Sequence, residues 1–315
     1  MYKKYMKNEK PKVRVAKINL GTIELNVPII EIGSGSKTVG VVIGIHGVET
    51  GGLLVLKRIL ESQNALKNKL KIVALANPSG SLLGSRFNSL DLPVDIKDPN
   101  RSFPGNANGT IQERLNNLLL EELKTCSLVL DIHNFSNTGK PYPLLIEREI
   151  KSEVDRVSEK FVVNMGFTTT YIVDSKESIK RGFLGTIGQV LLGKNIAYAC
   201  IEMPFPDIIK ESDIDSLSKG VINATNYLDL SKDRRKVGLK KIKTNLVRSD
   251  ICGIFTPTKT PQEKIAKGEK VGEIFDPYTL KTIDVKSEFK GKLWVVKRQG
   301  FVRVGEFLYE VAYKI

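Results

Sequence analysis

Val39-Gly-Val-Val-Ile-Gly-Ile45-His46-Gly47-Val48-Glu49 decides the reading of this chain. Its first seven residues are a short, β-branched apolar run, the pattern of a strand buried on both faces. The run stops at a histidine and a glycine, with a glutamate three residues beyond the histidine. Downstream, Leu53–Lys67 carries apolar residues at helical spacing and predicts a helix. A second apolar run, Leu70–Ala76, predicts another strand closed by Asn77-Pro78. The same alternation continues outward. Helices are expected over Gln112–Lys124, Lys151–Met165, Gly182–Leu192 and Ile208–Leu228, and strands over Ser127–Ile132, Thr168–Val173 and Ala197–Ile201. Strands alternating with helices imply an α/β layer with a mainly parallel sheet.

From about Lys243 the pattern changes to short β-type runs separated by Gly, Pro and Lys turns, which predicts a small all-β barrel or sandwich. The expected organisation is therefore a catalytic domain over residues 1–235 and a β module over 236–315. The intervening stretch, Gly80–Gly109, is long, polar and rich in Gly, Pro, Asn and Asp. A connection of that length in a compact chain is usually functional or disordered.

Composition narrows the classes. The 315 residues carry a net charge of +14 and include only two histidines and three cysteines. The charge sits at the ends. Residues 1–17 hold seven basic residues and one acidic one, residues 231–315 hold 20 basic and 10 acidic, and the middle has a slight acidic excess. The sharpest basic cluster, Lys232–Lys236 with Lys240, Lys241 and Lys243, has no interleaved aromatics. A solvated surface is expected there, not a nucleic-acid stripe. The longest apolar run falls far short of the roughly 18 residues of a spanning helix, so no membrane partner is expected. The three cysteines form no CxxC pair, and the start has no apolar signal core. A reducing cytoplasm is the expected location.

The rare residues fall where chemistry is expected. His46 and His133 each end a predicted strand, and open α/β sheets present their sites at the carboxyl ends of strands. Two histidines and Glu49 could supply three ligands to a catalytic zinc and leave a fourth position open. A lone HxxE is equally compatible with an ordinary satisfied histidine. Arg101 and Asn100, in Asp98-Pro-Asn-Arg-Ser-Phe-Pro-Gly105, offer a planar fork and an amide to a substrate carboxylate. Arg86 is a second guanidinium from the same loop; either arginine could instead pair with Asp91, Asp95 or Asp98. Glu202, ending a predicted strand, could serve as a general base or be a merely paired carboxylate.

Taken together these motifs resemble the succinylglutamate desuccinylase/aspartoacylase family of the zinc-carboxypeptidase-like superfamily. His46-Gly-Val-Glu49 matches the family's HGxE ligand pair and Asp131-Ile-His133 its DxH ligand. Asp98–Gly105 resembles DLNRxFPG with Pro99 in place of Leu, and Asn77-Pro78 with Arg86 resembles the NP…GxR segment. The resemblance implies a mixed sheet flanked by helices. It also implies one zinc per chain on His46, Glu49 and His133, Glu202 as the catalytic glutamate, and Arg86 supporting the oxyanion. Asn100 and Arg101 would bind substrate. The implied function is hydrolysis of an amide bond in an N-acyl amino acid or similar small carboxylate. The acylases of acidic amino acids carry an arginine some ten residues before the glutamate. Here Leu192 stands there with Lys194 nearby, so N-acetylaspartate or N-succinylglutamate specificity is not implied. The C-terminal turns are similar to lipoyl/biotinyl-type barrels without a lysine in the hairpin-tip context of a carrier. The rival expectations are a peptidase on short peptides using the same site, and a non-catalytic binding protein using the basic C-terminal module. A homo-oligomer is left open.

Overall fold

The computed structural model describes residues 10–62, 66–88, 98–228 and 238–314. A twelve-stranded mixed sheet forms its spine. At its centre lie β3 (Thr38–Ile43), β5 (Leu128–Asn134) and β8 (Ala197–Met203), paired in parallel. All seven residues of β5 are buried, which is why Leu128–Leu130 and Ile132 show no apolar/polar alternation. On the other side of β3 lies β4 (Lys69–Val73), again parallel, followed by the antiparallel strands β2 (Glu24–Ile32) and β1 (Lys12–Asn19). Beyond β8 come β6 (Tyr142–Glu147), antiparallel to it, and β7 (Thr169–Asp174), parallel to β6.

The sheet is thus mixed, as the family resemblance implies, and not mainly parallel as the alternation alone suggests. Strands β1, β2 and β6 make the difference. In β1, Lys12, Arg14 and Lys17 alternate with Val13, Val15 and Ala16-Ile18, and the strand lies on the sheet edge with most of its residues exposed. The basic start is therefore partly an edge strand, pinned by ion pairs from Arg14 to Glu122 and from Lys17 to Glu24.

Alternate residues of the central strands serve opposite faces. Val39, Val41 and Ile43 of β3, with Leu128, Leu130 and Ile132 of β5, face one core. That core is closed by α1 (Gly52–Glu61), α4 (Glu153–Asn164) and α7 (Glu211–Asn226), through Val55, Phe161 and Val221 among others. Val42 and Val129 face the other, closed by α3 (Ile111–Leu123) and α6 (Ile187–Gly193) through Leu115, Leu119 and Leu191. The helix expected over Gly182–Leu192 begins only at Ile187, because Gly182 and Gly185 take positive φ in the turn ahead of α6. Asp131, His133, Tyr198, Cys200 and Glu202 occupy the register positions facing this second side. Period-2 geometry therefore brings the chemistry-bearing residues of β5 and β8 to one face.

The C-terminal strands are joined to the same sheet. β9 (Lys240–Arg248) pairs in parallel with β7. It is followed across the sheet by β16 (Phe307–Lys314), β14 (Gly291–Val296) and the short β11 (Lys264–Ile265). A separate four-stranded antiparallel sheet of β10 (Gly253–Pro257), β12 (Lys270–Asp276), β13 (Lys281–Lys286) and β15 (Gly300–Val302) packs with these strands around Phe255, Ile274, Leu293 and Tyr309. Ile242, Trp294 and Val295 instead share a cluster with Tyr142, Tyr171 and Val173 of the α/β layer. Lys232–Lys236 and the proposed 235/236 boundary lie outside the described residues. Lys241 pairs with Glu147 and Glu159, and Lys243 pairs with Asp174, so part of the basic excess is neutralised within the fold.

Candidate active site

His46 follows β3 in a tight turn closed by a hydrogen bond from the Glu49 N–H to the His46 carbonyl, 2.9 Å. Gly47 is required here for space and not for an unusual φ. A Cβ on it would lie 2.1 Å from the Gly80 backbone, so the turn is pressed against α2 (Pro78–Leu82). The Gly47 N–H also donates to the Arg86 carbonyl at 3.3 Å. The ligand turn and the arginine-bearing loop are in this way held together.

The two histidines approach each other, with ring centroids 5.1 Å apart. Glu49 lies between them and is 3% exposed. One carboxylate oxygen is 2.8 Å from His46 Nδ1 and the other 2.7 Å from His133 Nδ1. The opposite ring nitrogens meet carboxylates of their own: His46 Nε2 is 2.9 Å from Asp98 and His133 Nε2 is 2.8 Å from Asp131. Asp131 in turn accepts from the Tyr198 hydroxyl at 3.0 Å. Behind Glu49, Asn134 donates its backbone N–H to Oε2 at 3.2 Å, while its side chain ties Gly51 to Pro204. Burial opposes charge on Glu49, but the facing imidazoles outweigh it and hold the carboxyl well below the usual range. Burial likewise opposes charge on His133, and Asp131 and Glu49 together raise its pKa well above the ordinary value. Asp98 is lowered in the same way against its own burial, by His46, Arg86 and Arg101.

All seven sequence-predicted site residues line one cavity of about 810 Å³. Arg86 donates to Glu49 at 2.8 Å and to Asp98 at 2.9 Å, so its expected pairing with a loop aspartate is present. Asp91 and Asp95 lie outside the described residues. Three of the five guanidinium N–H groups of Arg86 are used on these two carboxylates, leaving two. Asn100 spends its side-chain oxygen on the Ile187 N–H at 2.9 Å and turns its amide nitrogen towards His133 at 3.4 Å. Arg101 stacks over the Phe183 ring at 4.7 Å, donates from Nη1 to the Asn100 carbonyl at 2.7 Å, and has no ion-pair partner among the described residues. Glu202 is half-buried, and its Oε2 is buried without a hydrogen-bond partner. Burial is the largest influence on it and, with the nearby charge of Glu49, prevails over His133 and His46 to push its carboxyl up to about 7. Leu192 is buried in the core and is not part of the cavity wall.

Sequence reasoning missed several contributors. Asp98 and Asp131 orient the histidines; both sat in quoted motifs but were not read as histidine partners. Tyr198 is four residues before Glu202 on the same strand face, a period-2 signal that could have found it. The C-terminal strands and turns supply Leu246, Arg248 and the Arg303–Phe307 turn to the cavity wall, and no local pattern shows that.

Residues 36–181 match the model of the succinylglutamate desuccinylase/aspartoacylase catalytic domain. Over that stretch, somewhat under half of its length, the chain is similar to this family. The family is one of deacylases. Solved structures of similar fold include a succinylglutamate desuccinylase/aspartoacylase from Rhodobacter sphaeroides, 17% identical with a TM-score of 0.78, covering 97% of this chain and 95% of that one. An aspartoacylase family protein from Mesorhizobium loti is 20% identical with a TM-score of 0.75, over 98% and 95% of the two chains. The product-bound ectoine utilization protein EutE (DoeB) from Ruegeria pomeroyi is 16% identical with a TM-score of 0.80, over 96% and 95%. No curated protein matches the chain in sequence. Among the described residues no helix is long and apolar enough to cross a membrane.

The raised Glu202 pKa has a thermodynamic consequence. Between the ordinary carboxyl value and about 7, the unfolded chain ionises this group while the native state keeps it neutral, so native stability is lost as pH rises through that window. E202Q removes the penalty. In metal-free protein its stability relative to wild type, measured by urea unfolding, should grow from pH ~5 to pH ~8; a difference that stays constant with pH would contradict the assigned shift.

Proposed function

We propose that this chain is a zinc-dependent deacylase of the succinylglutamate desuccinylase/aspartoacylase type, cleaving the amide bond of an N-acyl amino acid or similar small carboxylate. The convergence of His46, Glu49 and His133 supports it most directly: their ligand atoms lie within 4.8 Å of one another in a buried group. Two neutral imidazole nitrogens and one carboxylate are a donor set suited to catalytic zinc with a position left open. The fit has a further sign in His46 Nδ1, which is buried and, although close to Glu49, makes no hydrogen bond. When bound, zinc supplies Lewis acidity that acidifies water and polarises a carbonyl.

The remaining work falls to the chain's own groups. Arg101, stacked on Phe183, anchors the substrate carboxylate through the guanidinium N–H groups it does not spend on the Asn100 carbonyl. Glu202 has a carboxyl poised near 7, suited to taking a proton from the attacking water and returning it to the leaving amine. Both histidines are engaged with carboxylates on each side, which leaves no imidazole for that task. Arg86, with two N–H groups left, faces the charge developing on the carbonyl oxygen. Asp98 and Asp131 hold the imidazole rings in orientation, as partners of metal-binding histidines do. Arg248 and the 303–307 turn add to the wall of a cavity of about 810 Å³, a size suited to a small substrate.

Three measurements test this reading. Purified protein should contain one equivalent of zinc. It should release amines from a panel of N-acyl amino acids faster than it cleaves peptides of increasing length. E202Q should retain the metal and lose about 10²–10⁴-fold in kcat. Absence of metal, or undiminished hydrolysis by E202Q, would overturn the mechanism. Because Tyr198 acts only through Asp131 and His133, Y198F should weaken zinc affinity by about tenfold in a chelator competition, within the range for outer-shell partners. An unchanged affinity would show that the hydroxyl does not support the centre.

A further inference from the structure

A second cavity, of about 670 Å³, opens where β9, β14 and β16 meet α7 and the loop after α4. Its walls are apolar, formed by Pro141, Phe167, Leu217, Ile242 and Trp294 among others. Its rim is cationic. Lys140, Lys240 and Lys292 line it, all three are exposed, and none has a carboxylate within ion-pair distance among the described residues. This contrasts with the neighbouring Lys241 and Lys243 on the same strand, both of which are paired. Asp213 is the one carboxylate among the lining residues, against three lysines.

Trp294 forms part of the apolar wall and is 8% exposed. The Trp294 ring meets Tyr142 edge-on at 5.2 Å, and Tyr142 lines both this cavity and the catalytic one. Concave apolar walls with a few convergent polar groups are the usual form of a small-molecule site, and the volume lies within the usual range.

We propose that this cavity is a binding site, separate from the catalytic centre, for a small organic acid with an aromatic or branched apolar body. The body packs against Phe167, Leu217 and Trp294, and the carboxylate pairs with the rim lysines. A neutral apolar molecule would forgo the three unpaired charges, and a polyanion would place charge against the apolar walls.

Trp294 is the only tryptophan of the chain, so its emission reports occupancy directly. Full-length protein is titrated with 4-phenylbutyrate, with its uncharged amide, 4-phenylbutanamide, as the control. A saturable, one-site change in tryptophan emission is expected for the acid. Binding should be at least about tenfold weaker for the amide, and for the acid with the K240E/K292E double variant, as loss of a charge-assisted contact implies. Both substituted lysines are exposed, so the fold should be retained. R101A, which removes the carboxylate anchor of the catalytic cavity, should leave the response intact. The proposal is overturned by the absence of a saturable change, by equal affinity for acid and amide, by indifference to K240E/K292E, or by loss of the response in R101A.

Discussion

The carboxylate of Glu49 lies between two imidazoles, one oxygen to each Nδ1, in a space almost closed to water. Charges in such surroundings are retained only when paired, because desolvation of a carboxylate costs more than any single contact returns. The rest of the site can be understood as the way that condition is met. Each histidine has a carboxylate on its far side, Asn134 donates to Glu49 from behind, and Arg86 bridges Glu49 to Asp98. The outcome is a network in which a change at one member alters the orientation of several others.

That network also sets Glu202 apart. Glu202 enters the same cavity without a partner for Oε2. Burial and the nearby charge of Glu49 raise its pKa and prevail over the opposing influence of His133 and His46. Two carboxylates in one cavity are thereby driven in opposite directions, Glu49 downward and Glu202 up to about 7. Separation of this kind assigns roles to acid and base groups from environment alone. The sheet makes it possible. His133 and Glu202 are directly opposite in the β5–β8 ladder, so backbone register fixes their spacing.

The central strands and the histidines at their ends were legible in the chain because a strand buried on both faces shows no apolar/polar alternation. β3, β5 and β8 all share this. The edge and flanking strands were not. β1 alternates charged and apolar residues and was hidden within a basic terminus, and β6, with two prolines just before and inside it, reads as loop. The seven candidate site residues were named from motif and order, and the structure gathers them around one cavity. Their partners were less visible. Asp98 and Asp131 act through contacts with residues 52 and two positions away, and the cavity wall built from β9, β16 and the 303–307 turn depends on a parallel pairing of β7 with β9 that no local pattern encodes.

The claim on which the account rests is that Glu49 arranges His46 and His133 around a single metal ion. Its most direct test is crystallographic: data from crystals of zinc-loaded protein, collected on both sides of the zinc absorption edge. The account predicts one anomalous peak per chain, bounded by the Nδ1 atoms of His46 and His133 and the carboxylate of Glu49, with Asp98 and Asp131 retained behind the rings. A site without a peak, or a peak held by other residues, would contradict it.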